Sequence, residues 1–210
     1  ASTQRMYSGE FLNGLENSKG IEFTSGIQYE GEYLNGVFHG QGKKTYSDGS
    51  YYEGHFKDDL YNGNGIELIV NGFTYKGEFK NDLKNGFIIV TSPNGYRYEG
   101  GYLNDLRDGD GTEVFANGIQ YKGKFKSDNY HGKGILERNG TRYEGEFQNG
   151  LYHGYGLFMD TDQLEYDGEW KFQLFDGVGK IVFSNDDSYQ GQFKKGEYDG
   201  QGIFIESNGN

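Results

Sequence analysis

The sequence predicts an all-β protein: an elongated single-layer antiparallel sheet of nine consecutive β-hairpin repeats, twisted into a trough. Three observations predict it. A Tyr-x-Gly-x-aromatic signature recurs nine times at intervals of 22 or 23 residues. Glycine supplies 37 of the 210 residues and proline only Pro93, a balance that favours many tight turns between short strands. All hydrophobic residues together make up 33%, too few Leu, Ile and Val for a large two-layer core, yet 19 Tyr and 16 Phe exclude a disordered chain.

The repeats start at Tyr7, Tyr29, Tyr52, Tyr75, Tyr98, Tyr121, Tyr143, Tyr166 and Tyr189, so residues 1–6 form a lead and 7–210 the array. Counting each repeat from its Tyr, position 3 is always Gly and position 5 always aromatic: Phe11, Tyr33, Phe56, Phe79, Tyr102, Phe125, Phe147, Trp170 and Phe193. Position 12 is Gly except at Ser18, and position 14 is Gly except at Ile88. Period-2 alternation puts positions 1, 3 and 5 on one face and positions 2, 4 and 6, mostly charged, on the other. Glycine between two rings weakens an isolated strand. Its recurrence predicts a slot filled by a neighbouring ring, so that the aromatic face knits successive repeats together.

Positions 15–18 predict the second strand, as in Ile66–Ile69 and Lys180–Phe183. One turn is expected near positions 8–12, which are rich in Gly, Asn and Asp. The other is expected near positions 19–21, where Asp48-Gly49, Asn71-Gly72, Asn94-Gly95, Asn117-Gly118 and Asn139-Gly140 suit hairpin turns with positive φ. Nine hairpins give about 18 strands at about 4.8 Å, a rod on the order of 85 Å long, coiled by the usual twist.

Charge and composition narrow the function. The net charge of −12 falls at the two ends: 5 basic against 10 acidic groups in residues 1–70, 10 against 9 in 71–140, and 5 against 13 in 141–210. A nucleic-acid partner needs a basic footprint, so none is expected. The absence of Cys excludes disulfides and thiolate metal sites. No apolar run reaches 18 residues and no signal-peptide pattern is present. The chain starts without Met, which suggests a piece of a longer protein.

Candidate chemistry is sparse. His39, His131 and His153 occupy position 11, where other repeats carry Asn17, Asn62, Asn85, Asp108, Asp176 and Asp199; a short polar turn residue explains all of them. His55 is a single polar-face residue. The acid pairs Glu30/Glu32 and Asp167/Glu169 read as solvated strand face, and the Asp-Gly motifs near residues 48 and 110 lack a calcium-loop pattern. No catalytic residue, metal site or cofactor is expected. Lys122, Lys124 and Lys126 share the polar face of repeat 6 and form a candidate anion contact. Tyr29, Tyr33, Phe56, Phe79, Tyr102, Phe125, Phe147 and Trp170 line the expected trough and are candidate partner contacts.

Tyr-x-Gly-x-(Trp/Phe/Tyr)-x-x-Gly-x-x-His-Gly-x-Gly at a 23-residue period resembles the MORN (membrane occupation and recognition nexus) repeat over residues 7 to 210. Departures are Ser18, Ile88, the lost inter-repeat Gly of repeats 7 and 8, and a single Trp at position 5, Trp170. The resemblance implies a non-catalytic scaffold of a cytoskeletal or ciliary/flagellar assembly in the cytoplasm, binding a protein partner through a helix or extended peptide. It also leaves room for a weak membrane or phosphoinositide tether, and for the targeting arm of a larger enzyme. The apolar strand Gly202–Glu206 and the pairing of some relatives through terminal repeats imply a homodimer through repeat 9.

Overall fold

A computed structural model describes residues 5–207. Among the described residues there are eighteen strands and no helix, the all-β class expected. The chain divides into two compact units, Ala1–Leu106 and Arg107–Asn210. Unit 1 holds β1 (Arg5–Leu12), β2 (Leu15–Thr24), β3 (Ile27–Leu34), β4 (Val37–Thr45) and β5 (Tyr51–Lys57). It continues with β6 (Leu60–Leu68), β7 (Thr74–Lys80), β8 (Leu83–Thr91) and β9 (Arg97–Leu103). Unit 2 begins within β10 (Leu106–Val114) and continues through β11 (Gln120–Lys126), β12 (Asn129–Arg138), β13 (Thr141–Gln148) and β14 (Leu151–Met159). It ends with β15 (Glu165–Lys171), β16 (Leu174–Val182), β17 (Ser188–Lys194) and β18 (Glu197–Ile205).

Within each unit every strand pairs antiparallel with its sequence neighbours, so each repeat is one hairpin. Of the 1–6 lead, residues 1–4 lie outside the described residues, while Arg5 and Met6 already pair with Thr24 and Phe23.

The first turn is tighter than the sequence suggested. It occupies positions 7 and 8 alone, as at Asn35-Gly36 and Asp58-Asp59, and both residues have positive φ (53° and 87°; 52° and 68°). That is the geometry of a two-residue primed turn, which matches the twist of the strands it joins. Positions 9–12 therefore belong to the second strand, not to the turn, and His39, His131 and His153 are strand residues of β4, β12 and β14.

Position 12 is a bulge. The register slips between positions 3 and 4, for example between Gly31 and Glu32, where the facing strand carries two extra residues, and the first of them takes φ near +60° (Gly40 63°, Gly132 58°). Left-handed backbone favours Gly. Ser18 replaces it in repeat 1 with φ 57°.

Glycines at positions 3 and 14 face one another across the hairpin, as Gly31 does Gly42. A Cβ on Gly31 would lie 2.5 Å from the Gly42 Cα and 2.5 Å from the Tyr29 hydroxyl oxygen. The slot is real, but its occupant is the repeat's own position-1 tyrosine rather than a ring of a neighbour. The Tyr29 hydroxyl donates to the Glu32 carbonyl at 2.9 Å, the carbonyl at the register slip. The same bond recurs from Tyr7, Tyr52, Tyr98, Tyr121, Tyr143, Tyr166 and Tyr189, at 2.8 to 3.1 Å. The bulge frees a backbone acceptor and the tyrosine supplies its donor.

Candidate functional site

The aromatic face is built from three rows of side chains. Position-1 tyrosines other than Tyr75 lie over the glycine slots. Position-5 rings stand edge-on to them, Tyr29 against Tyr33 at 5.2 Å and 89°. Within a unit, tyrosines also meet the position-5 ring of the next repeat: Tyr29–Phe56 and Tyr52–Phe79 at 5.1 Å in unit 1, Tyr121–Phe147 at 5.2 Å and Tyr143–Trp170 at 5.4 Å in unit 2. These edge contacts knit successive repeats as the sequence suggested, each worth about 0.5–1.5 kcal/mol beyond its burial.

The third row went unread in the sequence. Position 10 faces position 5 across the hairpin, and in six repeats its ring stacks on the slot tyrosine. The pairs are Tyr29–Phe38, Tyr52–Tyr61, Tyr121–Tyr130, Tyr143–Tyr152, Tyr166–Phe175 and Tyr189–Tyr198, at 3.7 to 3.9 Å. The recurrent aromatic two residues before the bulge glycine was the available signal, hidden because that stretch read as turn.

The eight rings expected to contact a partner fall into two conditions. Tyr29, Tyr33, Phe56, Phe79, Phe125, Phe147 and Trp170 are 0–5% exposed, and Tyr102 is half-buried. Within each unit they lie in the packed floor of the aromatic face, and the Trp170 indole N–H donates to the Gly156 carbonyl at 2.9 Å. The surface above that floor is made by the half-buried position-10 rings Phe38, Tyr130, Tyr152 and Phe175. In unit 1 it includes a concavity of about 390 Å³, where the Tyr46 and Tyr61 hydroxyls meet at 2.7 Å beside Asp59, Glu67 and Asp82.

Burial raises the phenol pKa values of Tyr29, Tyr52, Tyr121, Tyr143 and Tyr166 well above the ordinary tyrosine value. In Tyr33 and Tyr130 burial acts together with a nearby carboxylate, Glu22 or Glu113. These two glutamates are buried at position 16. Glu22 receives the Arg5 guanidinium at 2.7 Å, and Glu113 receives Arg107 at 2.5 Å and the Tyr130 hydroxyl at 2.8 Å. A buried carboxylate persists only when paired, and the partners here are cations on the same face.

Repeat 4 departs from the pattern. Ile88 is fully buried in the slot, and Tyr75, half-buried, is the one slot-position tyrosine without the hydroxyl-to-carbonyl bond among the described residues. Lys84 replaces the stacking ring. Its ammonium sits 4.5 Å from the Tyr75 ring centroid and pairs with Glu67 at 3.3 Å and Asp105 at 3.1 Å. Burial alone would lower its pKa, but the two carboxylates outweigh it and the net shift is upward.

On the opposite face, Lys122, Lys124 and Lys126 are exposed, and Lys124 is engaged by Asp110 at 3.0 Å. Glu30 and Asp167 stand directly across from Lys43 and Lys180. Among the described residues no three His, Asp or Glu side chains are grouped to hold a metal ion. Buried phenols and stacked rings make up the aromatic face, and paired charges lie at its buried carboxylates.

No curated protein matches the chain. Among solved structures it is similar to the TCP domain of Drosophila melanogaster SAS-4 (dCPAP) in complex with a proline-rich motif of Ana2 (dSTIL). That likeness has 13% identity and a TM-score of 0.37, and covers 79% of this chain and 83% of that one. It is also similar to the TCP10 domain of Danio rerio CPAP in complex with a STIL peptide, with 12% identity and a TM-score of 0.33, covering 97% and 100%. A third likeness is to virginiamycin B lyase of Staphylococcus aureus, with 9% identity and a TM-score of 0.19, covering 98% and 74%. The MORN repeat pattern matches residues 7–27, 29–51, 52–74, 75–95, 98–120, 121–142, 143–164, 166–188 and 189–210, and the chain therefore belongs to the MORN-repeat family.

Proposed function

We propose that this chain is a non-catalytic protein-binding scaffold that presents its aromatic face to a helix or extended peptide of a partner. The supporting observation is the three-row ring surface: position-5 and slot rings form a packed floor, and the position-10 rings Phe38, Tyr130, Tyr152 and Phe175 above it stay half-buried. Rigid aromatic area of this kind binds with little loss of side-chain entropy. Partner contact in this reading runs over the floor of Tyr29, Tyr33, Phe56, Phe79, Tyr102, Phe125, Phe147 and Trp170 through the rings above it. Membership of the MORN-repeat family supports a place in a cytoskeletal or ciliary assembly. Photo-crosslinking from a benzoylphenylalanine placed at Phe38 or Tyr152, compared with one at Lys122, tests it. Crosslinks to a partner polypeptide from the first two sites are expected; crosslinks confined to Lys122 would contradict the reading.

A second reading has its own observation. Lys122 and Lys126 are exposed and make no ion pair among the described residues, leaving them available to an anionic lipid headgroup. Changing Lys122, Lys124 and Lys126 to Glu then abolishes binding to phosphoinositide vesicles, which is already weak near physiological salt because exposed charges are screened. Ile203, Phe204 and Ile205 of β18 are likewise exposed, which favours self-association through repeat 9. Sedimentation of the chain and of Phe204→Lys tests that pairing: a dimer lost on substitution supports it, and a monomeric wild type opposes it.

A further inference from the structure

In repeats 7 and 8 the face away from the packed rings departs from the rest of unit 2. Position 7, the first residue of the primed turn, is Asn, Asp or Ser in repeats 1 to 7, at φ between 46° and 53°. Short polar side chains tolerate that left-handed backbone. Repeat 8 carries Phe172 there, at φ 52°. A bulky ring is strained in this conformation, and at 60% exposed it has too little packing to offset the strain. Its ring rests 5.9 Å from that of His153. Position 13 departs in the same two repeats. Tyr155 and Val178 are exposed there, where the other repeats of unit 2 carry Asp110, Lys133 and Gln201. Apolar side chains that the repeat does not require, left open to solvent, mark an interaction surface.

The charge around them is one-sided. Residues 143–188, which make up these two repeats, carry 10 acidic groups against Lys171 and Lys180. Lys180 stands across from Asp167, and Lys171 lies beside the turn, across from Leu174. The nearby Arg142 is taken by Glu144 at 2.8 Å. Glu146 and Glu169 are exposed and make no ion pair among the described residues. Glu146 faces His153, with its carboxylate over Gly154. Glu169 faces Tyr155, with its carboxylate over Gly177, next to Val178. Each free carboxylate therefore has exposed aromatic surface beside it. A guanidinium suits that pairing: it forks onto a carboxylate through two parallel N–H donors while its flat face lies on a ring. Repeat 6 could not do the same, since it has Lys124, Ser127 and Lys133 at the positions of Glu169, Phe172 and Val178.

We propose that the polar face of repeats 7 and 8 is a docking surface for an arginine-bearing segment of a partner protein, its guanidinium groups pairing with Glu146 and Glu169 and lying on Phe172 and Tyr155. The surface is on the opposite side of the sheet from the packed rings, and its test does not depend on theirs. Charge complementarity selects the partner and the rings select arginine among cations.

The probes are three labelled Gly/Ser peptides carrying arginine, lysine or citrulline at the same positions. Fluorescence anisotropy with the full chain should show the arginine peptide binding at least ten-fold more tightly than the citrulline peptide and about three-fold more tightly than the lysine peptide, with affinity falling as salt rises. Phe172→Asn with Tyr155→Gln should weaken arginine binding at least ten-fold. Phe172→Asn alone should raise the melting temperature, because Asn fits the left-handed turn. Glu146→Gln with Glu169→Gln should weaken binding as much, while Glu30→Gln with Glu32→Gln, the same charge change in unit 1, leaves it unchanged. Equal affinity for the arginine and citrulline peptides overturns the proposal, as does a Phe172→Asn/Tyr155→Gln chain that binds like wild type. Equal losses from the two glutamate pairs overturn it too, since the attraction is then to net charge alone. A melting temperature lowered by Phe172→Asn would make the ring a packing residue and contradict the inference. So would a wild-type dimer that Phe172→Asn with Tyr155→Gln dissolves, since the occupant is then a second copy.

Discussion

In repeat 3 the Tyr52 ring fills the slot over Gly54 and Gly65, is stacked by Tyr61 at 3.7 Å, and donates to the His55 carbonyl at 3.1 Å. One hairpin along, in the same unit, Ile88 fills the slot, Tyr75 is displaced, and a lysine stands where Tyr61 stood. Both solutions leave the slot filled, and the contrast shows what is fixed. The bulge and the facing glycine set a cavity beside the sheet, and either the tyrosine or a position-14 side chain occupies it, never both. Losing the tyrosine also removes the ring on which position 10 stacks. An aliphatic ammonium can then take that place, held over the displaced ring and between two carboxylates.

The comparison is broken most severely at the glycines. A Cβ at Gly54 would meet the Gly65 Cα at 2.5 Å and the Asn64 carbonyl oxygen at 2.7 Å, backbone atoms that cannot swing aside. Gly54→Val should therefore cost about 3 kcal/mol or more, visible in urea unfolding of the whole chain. A cost near that of a surface substitution would show that the slot tolerates a side chain.

Tyr52→Ala empties a packed slot and should cost about 3–5 kcal/mol, the range for truncating a buried ring. Tyr75→Ala removes a ring that is already out of its slot, and about 2 kcal/mol or less is expected. Equal losses at the two sites would deny that the repeats differ.

Alkaline pH sharpens the same contrast. Burial raises the phenol pKa of Tyr52 and of Tyr75, but at Tyr75 the neighbouring Lys84 ammonium pulls it back. A phenol whose folded pKa lies above its unfolded value of about 10 holds its proton more tightly in the native state. Its stabilising contribution is complete below about pH 10 and is lost as the pH rises through the folded pKa. Melting temperature should stay level to about pH 10 and then fall. Tyr75 should ionise, by absorbance of the Tyr52→Phe and Tyr75→Phe chains, before Tyr52.

Much of this architecture was legible in the sequence. The nine starts, the hairpins and a slot at glycines such as Gly31 follow from a period, a turn dipeptide and a glycine that no strand would otherwise choose; that Gly42 faces Gly31 across the hairpin did not. The slot's occupant was not legible, because alternation places Tyr29, Gly31 and Tyr33 on one face without saying that the tyrosine folds back over its own glycine. Phe38 and its equivalents were missed for a related reason. A primed turn spends only two residues, so the strand resumes at Val37, inside a Gly- and Asn-rich stretch that composition alone assigns to loop. The cation at Lys84 became interpretable only once Ile88 was seen to displace Tyr75.

The central claim is that the position-1 tyrosine and the position-14 residue compete for one slot, and a double-mutant cycle between Tyr75→Phe and Ile88→Gly tests it most directly. In the wild-type background the Tyr75 hydroxyl lacks its carbonyl bond, so Tyr75→Phe should change stability by less than about 0.5 kcal/mol. In the Ile88→Gly background the ring can enter the slot and make the bond its eight counterparts make, so the same change should cost about 1 kcal/mol. A coupling energy of about 1 kcal/mol is the predicted result. A Tyr75→Phe effect that is the same in both backgrounds would contradict the account.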